Sequence, residues 1–206
     1  MLSVHDLALL QQSVYHPAEG DFTALLDNGD VYCGVVVLSD RKILAFRGSV
    51  TGTDWLHDFE AIPMAKPMVG TVHEGMWLGV DDMFERLNLH AGDVVSIVGH
   101  SLGCAHAAYT ARLCLLRGIK VDQLYLLAPP RMGYQDFHDG LRSVVDLKAW
   151  HNGIDPVPCV PVTLPDMPWA QFPLIEIVET PWGLENLVPT DYHAIGLYVK
   201  GVTGAM

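Results

Sequence analysis

Between Val94 and Leu116 the chain changes character once, and that change constrains the fold more than any other stretch. Val94-Val95-Ser96-Ile97-Val98 is short, apolar and β-branched, the composition of a strand buried on both faces of a parallel sheet. Leu102 to Leu116 is rich in Ala, Cys and Leu and stops near Gly118, which reads as a helix closed by a glycine. Between them stands Gly99-His100-Ser101-Leu102-Gly103. A serine on such a strand-to-helix turn is pushed out of the sheet plane with its hydroxyl exposed, and the two glycines remove side chains that would clash there. The pentapeptide alone arises by chance in roughly one chain in ten of this length. The strand before it and the helix after it make Ser101 a candidate nucleophile, with Gly99, His100 and Gly103 as the supporting turn.

Composition narrows the class. The chain has 206 residues, 50% hydrophobic and 17% charged, enough for one sizeable core, so a single domain over 1–206 is expected. A formal charge of -12, from 24 acidic against 12 basic residues, disfavours nucleic acid and strongly anionic membranes by field repulsion and favours a neutral substrate. Met1 to Leu10 lacks a basic start and a continuous apolar run, so the expected location is cytoplasmic unless a leader was trimmed. Cys33, Cys104, Cys114 and Cys159 form no C-x-x-C pair, and reduced structural thiols are the expectation. The ten histidines assemble no visible metal-ligand spacing, and no metal or cofactor is called for.

The elements before the elbow follow in order. Ser3 with Asp6 is a capping box for a short helix with Leu7, Leu10 and Val14 on one face. Asn28-Gly29-Asp30 is a turn between two strands, Phe22 to Leu26 and Val31 to Leu38, and Lys42 to Phe46 is a third. These early strands form the antiparallel edge of a mixed sheet. Beyond the elbow, Leu124 to Ala128 and Leu147 to His151 read as further buried strands. The class is α/β, a mostly parallel sheet flanked by helices with the elbow after a central strand.

Phe46-Arg47-Gly48-Ser49, followed by Asp54-Trp55-Leu56-His57-Asp58, resembles the F-R-G-[ST] and D-W-x-x-D segments of the class 3 lipases, the fungal-lipase-like α/β hydrolases. His73-Glu74-Gly75-Met76 resembles that family's H-x-G-F turn, and a helix follows with Met76, Val80, Met83, Phe84 and Leu87 on one side. Ala128-Pro129-Pro130-Arg131-Met132-Gly133 stands where the family shows G-x-P-R-[VT]-G, with Ala128 and Met132 as departures that touch packing. Asp155-Pro156-Val157-Pro158 matches the D-x-V-P segment that carries the family's acid. The resemblance implies the α/β-hydrolase fold, a backbone N–H and hydroxyl from Ser49 at the oxyanion hole, and Asp58 steadying that hydroxyl. The second oxyanion donor is the backbone N–H of Leu102, the residue after the nucleophile. Without the resemblance, Ser49 is also an ordinary turn serine, and Asp54 or Asp58 a helix cap.

Serine hydrolases of this fold order their triad Ser, then Asp or Glu, then His. If Asp155 is the acid, His193 is the one histidine beyond it; His151 breaks the order, and His138 needs an earlier acid. Asp136, Asp139 and Asp146 lie before or within the predicted strand, whereas Asp155 lies just past its end, where such sites are built. His193 in Asp191-Tyr192-His193-Ala194 matches the family's surroundings less closely than Ser101 or Asp155 do. The expected chemistry is acyl transfer through Ser101, His193 and Asp155, and the resemblance implies ester hydrolysis on acylglycerols or related lipid esters.

Several readings stay open at this level. Val50 to Met68 is either an amphipathic lid, which implies transient contact with a lipid interface, or a helix packed permanently on the sheet. Val157 to Leu164, Met167-Pro168-Trp169 and Phe172-Pro173-Leu174 could line an acyl groove or simply pack on the surface. A soluble esterase, a phospholipase or a thioesterase on the same triad, or a catalytically silent interaction module, are the alternatives.

Overall fold

The computed structural model describes residues 2–49, 61–179 and 189–204. Seven strands form one sheet in the order β1-β2-β3-β6-β7-β8-β9. They are β1 (Ala24–Asp27), β2 (Tyr32–Val37), β3 (Lys42–Phe46), β6 (Val94–His100), β7 (Lys120–Leu127), β8 (Asp146–Asn152) and β9 (Leu174–Ile177). The β1–β2 and β2–β3 pairs are antiparallel and every later pair is parallel, which is the mixed sheet expected from the sequence. The antiparallel edge follows from the turn at Asn28-Gly29-Asp30. There the Asn28 side chain accepts from the N–H groups of Asp30 and Val31, and Gly29 takes φ 94.

Strand alternation sends side chains into two cores. Leu44, Phe46, Val95, Ile97, Leu124 and Leu126 face the elbow helix α4 (Leu102–Leu116), with α2 (Glu74–Trp77) and α3 (Val80–Arg86) beside it. Ile43, Ala45, Val98, Tyr125, Leu127 and Trp150 face α1 (Val4–Ser13) and α6 (Ile195–Gly204) on the other side. A sheet covered on both faces requires the nearly continuous apolar strands seen in the sequence. Helix α1 starts at the predicted capping box, with Ser3 Oγ accepting from Asp6 N–H and Asp6 returning the bond. Its Gln11 is fully buried and donates through Nε2 to the Phe46 carbonyl at 2.8 Å, so α1 satisfies the end of β3. A short helix α5 (Gln135–Asp139) packs beside β5 (Gly70–His73), a strand outside the main sheet.

Three features depart from the sequence reading. The helix expected after His73 is two helices, because Gly79 adopts φ 73 and breaks the run between Trp77 and Val80. Met76, Val80, Met83, Phe84 and Leu87 are nevertheless all buried, as their spacing requires. Within the candidate lid, β4 (Pro63–Lys66) pairs antiparallel with β5 (Gly70–His73), so this part is a hairpin rather than a helix; residues 50–60 lie outside the described residues. Strand β9 emerges from a proline-rich stretch in which the sequence signalled no strand. Among the described residues no helix is long and apolar enough to cross a membrane.

Helix α4 approaches the sheet more closely than side chains would allow. A Cβ at Gly103 would overlap the Phe46 carbonyl oxygen, and one at Gly99 would overlap the carbonyl of Gly103. Both clashes are with backbone, which has no rotamer through which to yield. Gly103→Ala is therefore expected to cost ~1–3 kcal/mol, as overpacking of a filled interior does. At ~2–4 °C per kcal/mol for a chain of this size, thermal unfolding followed by circular dichroism would read a fall of several degrees.

Candidate active site

The site collects at the carboxyl ends of β3, β6 and β8. Ser101 follows the last residue of β6 and precedes the first of α4, with φ 59 and ψ -132. That conformation is costly for a residue with a Cβ, on the order of 1–3 kcal/mol, and persists only where surroundings over-determine it. Here Ser101 N–H donates to the Leu127 carbonyl at 3.0 Å, and the Ser101 carbonyl accepts from Cys104 N–H at 2.9 Å. The residue is fixed from both sides. The two glycines act at the close approach described above, which is the role expected of them.

Ser49 lies just past β3, beside Gly48, where an added Cβ would overlap the His100 carbonyl oxygen, the Ser101 Cβ and the Tyr15 hydroxyl. Leu102 is the first residue of α4, so its N–H has no carbonyl one turn earlier to donate to. Ser49 and Leu102 line one cavity of about 280 Å³, together with Arg47, Gly48 and His106. The two residues expected to supply the oxyanion donors thus border common space. The β1–β2 turn closes the cavity through Asp27, Asp30 and Tyr32, and the Arg47 guanidinium lies 3.9 Å from the centre of the Tyr32 ring. Asp58 lies outside the described residues.

Asp155 stands three residues beyond Asn152, where β8 ends. Its side chain is wholly buried and its Oδ2 lies 2.8 Å from Nδ1 of His193. The same Oδ2 accepts from the Tyr198 hydroxyl at 2.6 Å, and Oδ1 accepts from Val157 N–H at 2.9 Å. Burial by itself raises the carboxyl's pKa. The hydrogen bond and charge of His193, with the Tyr198 and Val157 donors, outweigh it and hold Asp155 below the usual carboxylate range. Asp155 is therefore an anion and can only accept, so Nδ1 of His193 carries the proton in their bond and Nε2 is the nitrogen left for proton exchange.

Sequence reasoning did not find Tyr198 or Asn152. Tyr198, on α6, accepts from Asn152 N–H at 3.0 Å while donating to Asp155. Asn152 Nδ2 donates to the Tyr192 carbonyl at 3.0 Å and so anchors the residue before His193. A tyrosine five positions after the candidate base is a signal that could have been used. Asn152 gave none, because its partners are remote in sequence. His73 is fully buried, caps α2 by accepting from Met76 N–H, and is held neutral by burial, with its pKa near 4. His151 engages the Asp155 backbone carbonyl, not its carboxylate.

Ser101 and His193 approach through His100. The His100 and His193 rings stack with centroids 4.7 Å apart and planes 25° from parallel, and His100 Nε2 meets the His193 carbonyl at 2.9 Å. The leg from Ser101 Oγ to His193 Nε2 is not closed as a hydrogen bond among the described residues; such legs often tighten only with substrate in place.

The family model for lipase (class 3) matches residues 43–164, more than half of the chain. The chain belongs to the class 3 lipases. It is accordingly a carboxylic-ester hydrolase of the α/β-hydrolase fold. Among solved structures, it is similar to the triacylglyceride lipase of Rhizomucor miehei at 19% identity, with 86% of this chain and 78% of that one covered and a TM-score of 0.64. Lipase II of Rhizopus niveus gives 16% identity, 86% and 82% coverage and a TM-score of 0.65. The triacylglycerol lipase of Penicillium expansum gives 18% identity, 85% and 78% coverage and a TM-score of 0.63. At these identities the likeness speaks to the fold. No curated protein matches the sequence.

The strain at Ser101 is measurable. Glycine tolerates φ 59 where alanine does not, so Ser101→Gly is expected to unfold ~2–4 °C above Ser101→Ala, for roughly 1 kcal/mol of relieved strain. Equal or reversed midpoints in differential scanning calorimetry would show that the elbow stores no strain.

Proposed function

We propose that this class 3 lipase hydrolyses acylglycerols or related lipid esters with Ser101 as nucleophile, His193 as general base and acid, and Asp155 as the group that orients the imidazole. The observation that carries the reading is the 2.8 Å bond between buried Asp155 and His193, whose ring stacks on the residue preceding the strained Ser101. Ser101 Oγ attacks the ester carbonyl carbon as its proton passes to His193 Nε2. The oxyanion that forms is held by the N–H groups of Ser49 and Leu102, with the Ser49 hydroxyl as a further donor. His193 then gives the proton to the departing alcohol oxygen, the C–O bond breaks and an acyl-Ser101 ester remains. Water, deprotonated by His193, attacks that ester, and the carboxylic acid leaves as Ser101 recovers its proton.

The apolar segments considered for an acyl groove divide in two. Val157, Trp169 and Phe172 are buried, whereas Val162 and Leu164 are exposed at 64% and 43%. Val162 and Leu164, with the likewise exposed Pro168 and Pro173, are apolar residues that these segments present at the surface.

A panel of p-nitrophenyl esters of graded chain length, with fluorophosphonate labelling, tests the reading. Ser101→Ala is expected to lose labelling and turnover while keeping its fold, and normal turnover by it would remove the assignment. Asp155→Asn is expected to lower kcat by about 10⁴, because the amide favours the wrong imidazole tautomer. Ser49→Ala keeps its backbone donor and loses only the hydroxyl, for a fall of roughly 10² in kcat.

A further inference from the structure

Tyr15 and His100 form a hydrogen-bonded line from the loop that carries Ser49 to the backbone of His193. Gly48 N–H donates to Tyr15 Oη at 3.1 Å, Tyr15 Oη lies 2.7 Å from His100 Nδ1, and His100 Nε2 lies 2.9 Å from the His193 carbonyl oxygen. Every proton on this line is determined. A carbonyl only accepts, so His100 Nε2 carries hydrogen. His100 is 4% exposed, and burial together with the neighbouring His193 lowers its pKa to about 3, so it is neutral and Nδ1 is a bare acceptor. Tyr15 must then donate to Nδ1, and its oxygen accepts from Gly48. No link can be reversed without leaving a buried group unpaired.

The ring of His100 is also held on three sides. Tyr15 meets it edge-on at 5.8 Å, Tyr198 edge-on at 5.7 Å, and His193 lies stacked at 4.7 Å. Tyr198 is the residue that donates to Asp155. One neutral imidazole therefore touches the candidate base, the tyrosine behind the acid, and through Tyr15 the strand end before the oxyanion loop. The elbow motif accounts for the serine and glycines of the pentapeptide; it says nothing of why a histidine sits in the second place or why Tyr15 faces it.

We propose that His100 and Tyr15 are positioning residues, a relay that fixes the His193 backbone relative to Gly48 and so sets the base and the oxyanion donors in register about Ser101. The proposal rests on the triad reading above. Neither residue touches the reacting atoms. Removing Tyr15 Oη frees Gly48 N–H and His100 Nδ1 together, and the imidazole loses what fixes its tautomer and its grip on the His193 carbonyl. A misplacement of about 1 Å at the chemistry costs up to 10²-fold in rate. Substrate binding by remote groups is untouched, so the loss belongs in kcat and not in KM.

Four enzymes decide this: wild type, Tyr15→Phe, His100→Leu and His100→Gln, each assayed well below its own Tm on one short-chain ester and by the rate of fluorophosphonate labelling. Tyr15→Phe keeps the ring and is expected to lower kcat and labelling about 10- to 100-fold, with KM within about twofold of wild type. His100→Leu is expected to fall at least as far. His100→Gln restores an N–H donor for the His193 carbonyl and is expected to recover most of that loss, which a merely space-filling role would not produce. Should His100→Leu fail to fold, Tyr15→Phe and His100→Gln carry the test. The proposal is overturned if Tyr15→Phe turns over within twofold of wild type, if its loss is shared with KM, or if His100→Gln is as slow as an unaltered fold with leucine there. A wild-type protein that neither labels nor hydrolyses esters takes down the triad reading and the relay with it. Activity lost in Ser101→Ala but kept in Tyr15→Phe removes the relay alone.

Discussion

Where α4 leaves Ser101, its second residue lies against the carbonyl that ends β3, with no side chain between them. That contact brings the amino end of the helix to the loop beginning at Arg47. A helix start and a loop so close bring Leu102 and Ser49 to a single cavity. With any larger residue at Gly103 the helix would stand off, and the two N–H groups would part. The Phe46 carbonyl is itself capped by Gln11 from the far face of the sheet, so its place is set by α1 as well as by α4. The geometry of the candidate oxyanion hole thus depends on backbone packing, and the side chains are added to it.

Asp155 poses the opposite problem, a charge taken out of water. Burial disfavours the anion, and three donors restore it: His193, Tyr198 and Val157 N–H. The two side-chain donors come from the last described stretch of chain, and Tyr198 in turn accepts from Asn152 N–H at the end of β8. The carboxylate therefore ties the C-terminal helix to the sheet at the point where chemistry is proposed. A lone buried aspartate would take up a proton; this one stays charged because its partners are already in place.

How much of this was legible in the sequence depended on the range of the interaction. The capping box at Ser3 and Asp6, the turn at Asn28-Gly29-Asp30 and the strand-elbow-helix unit are determined within a few residues, and they read directly. The hairpin β4–β5 did not, because Pro63 and Pro67 interrupt its alternation and the left-handed Met68 at its turn carries no glycine signal. The break at Gly79 was masked by apolar spacing that two short helices satisfy as well as one. At the site, motif and chain order nominate Ser101, Asp155 and His193, and the structure brings Asp155 and His193 within hydrogen-bond reach. Tyr15 lies 85 residues from His100 in sequence, and Tyr198 lies 43 from Asp155. Neither could be paired with its partner until the sheet had folded between them.

One departure from the family pattern acquires a different meaning from the backbone. Ala128, where the family shows glycine, takes φ 60 at the end of β7, directly beside Ser101 at φ 59 at the end of β6. Ser101 N–H donates to Leu127 and Ala128 N–H donates to Trp150, so the parallel ladder runs one residue past both strands before the chain turns. A residue whose N–H is still bound to the sheet while its carbonyl must already point into a turn has few conformations left, and positive φ is one that meets both demands. The ladder that strains the nucleophile therefore also strains its neighbour. Ala128 accepts roughly 1–2 kcal/mol for that position, which its complete burial and hydrogen bond help offset. What looked in sequence like a change of packing is a change in how the sheet terminates at its most constrained point.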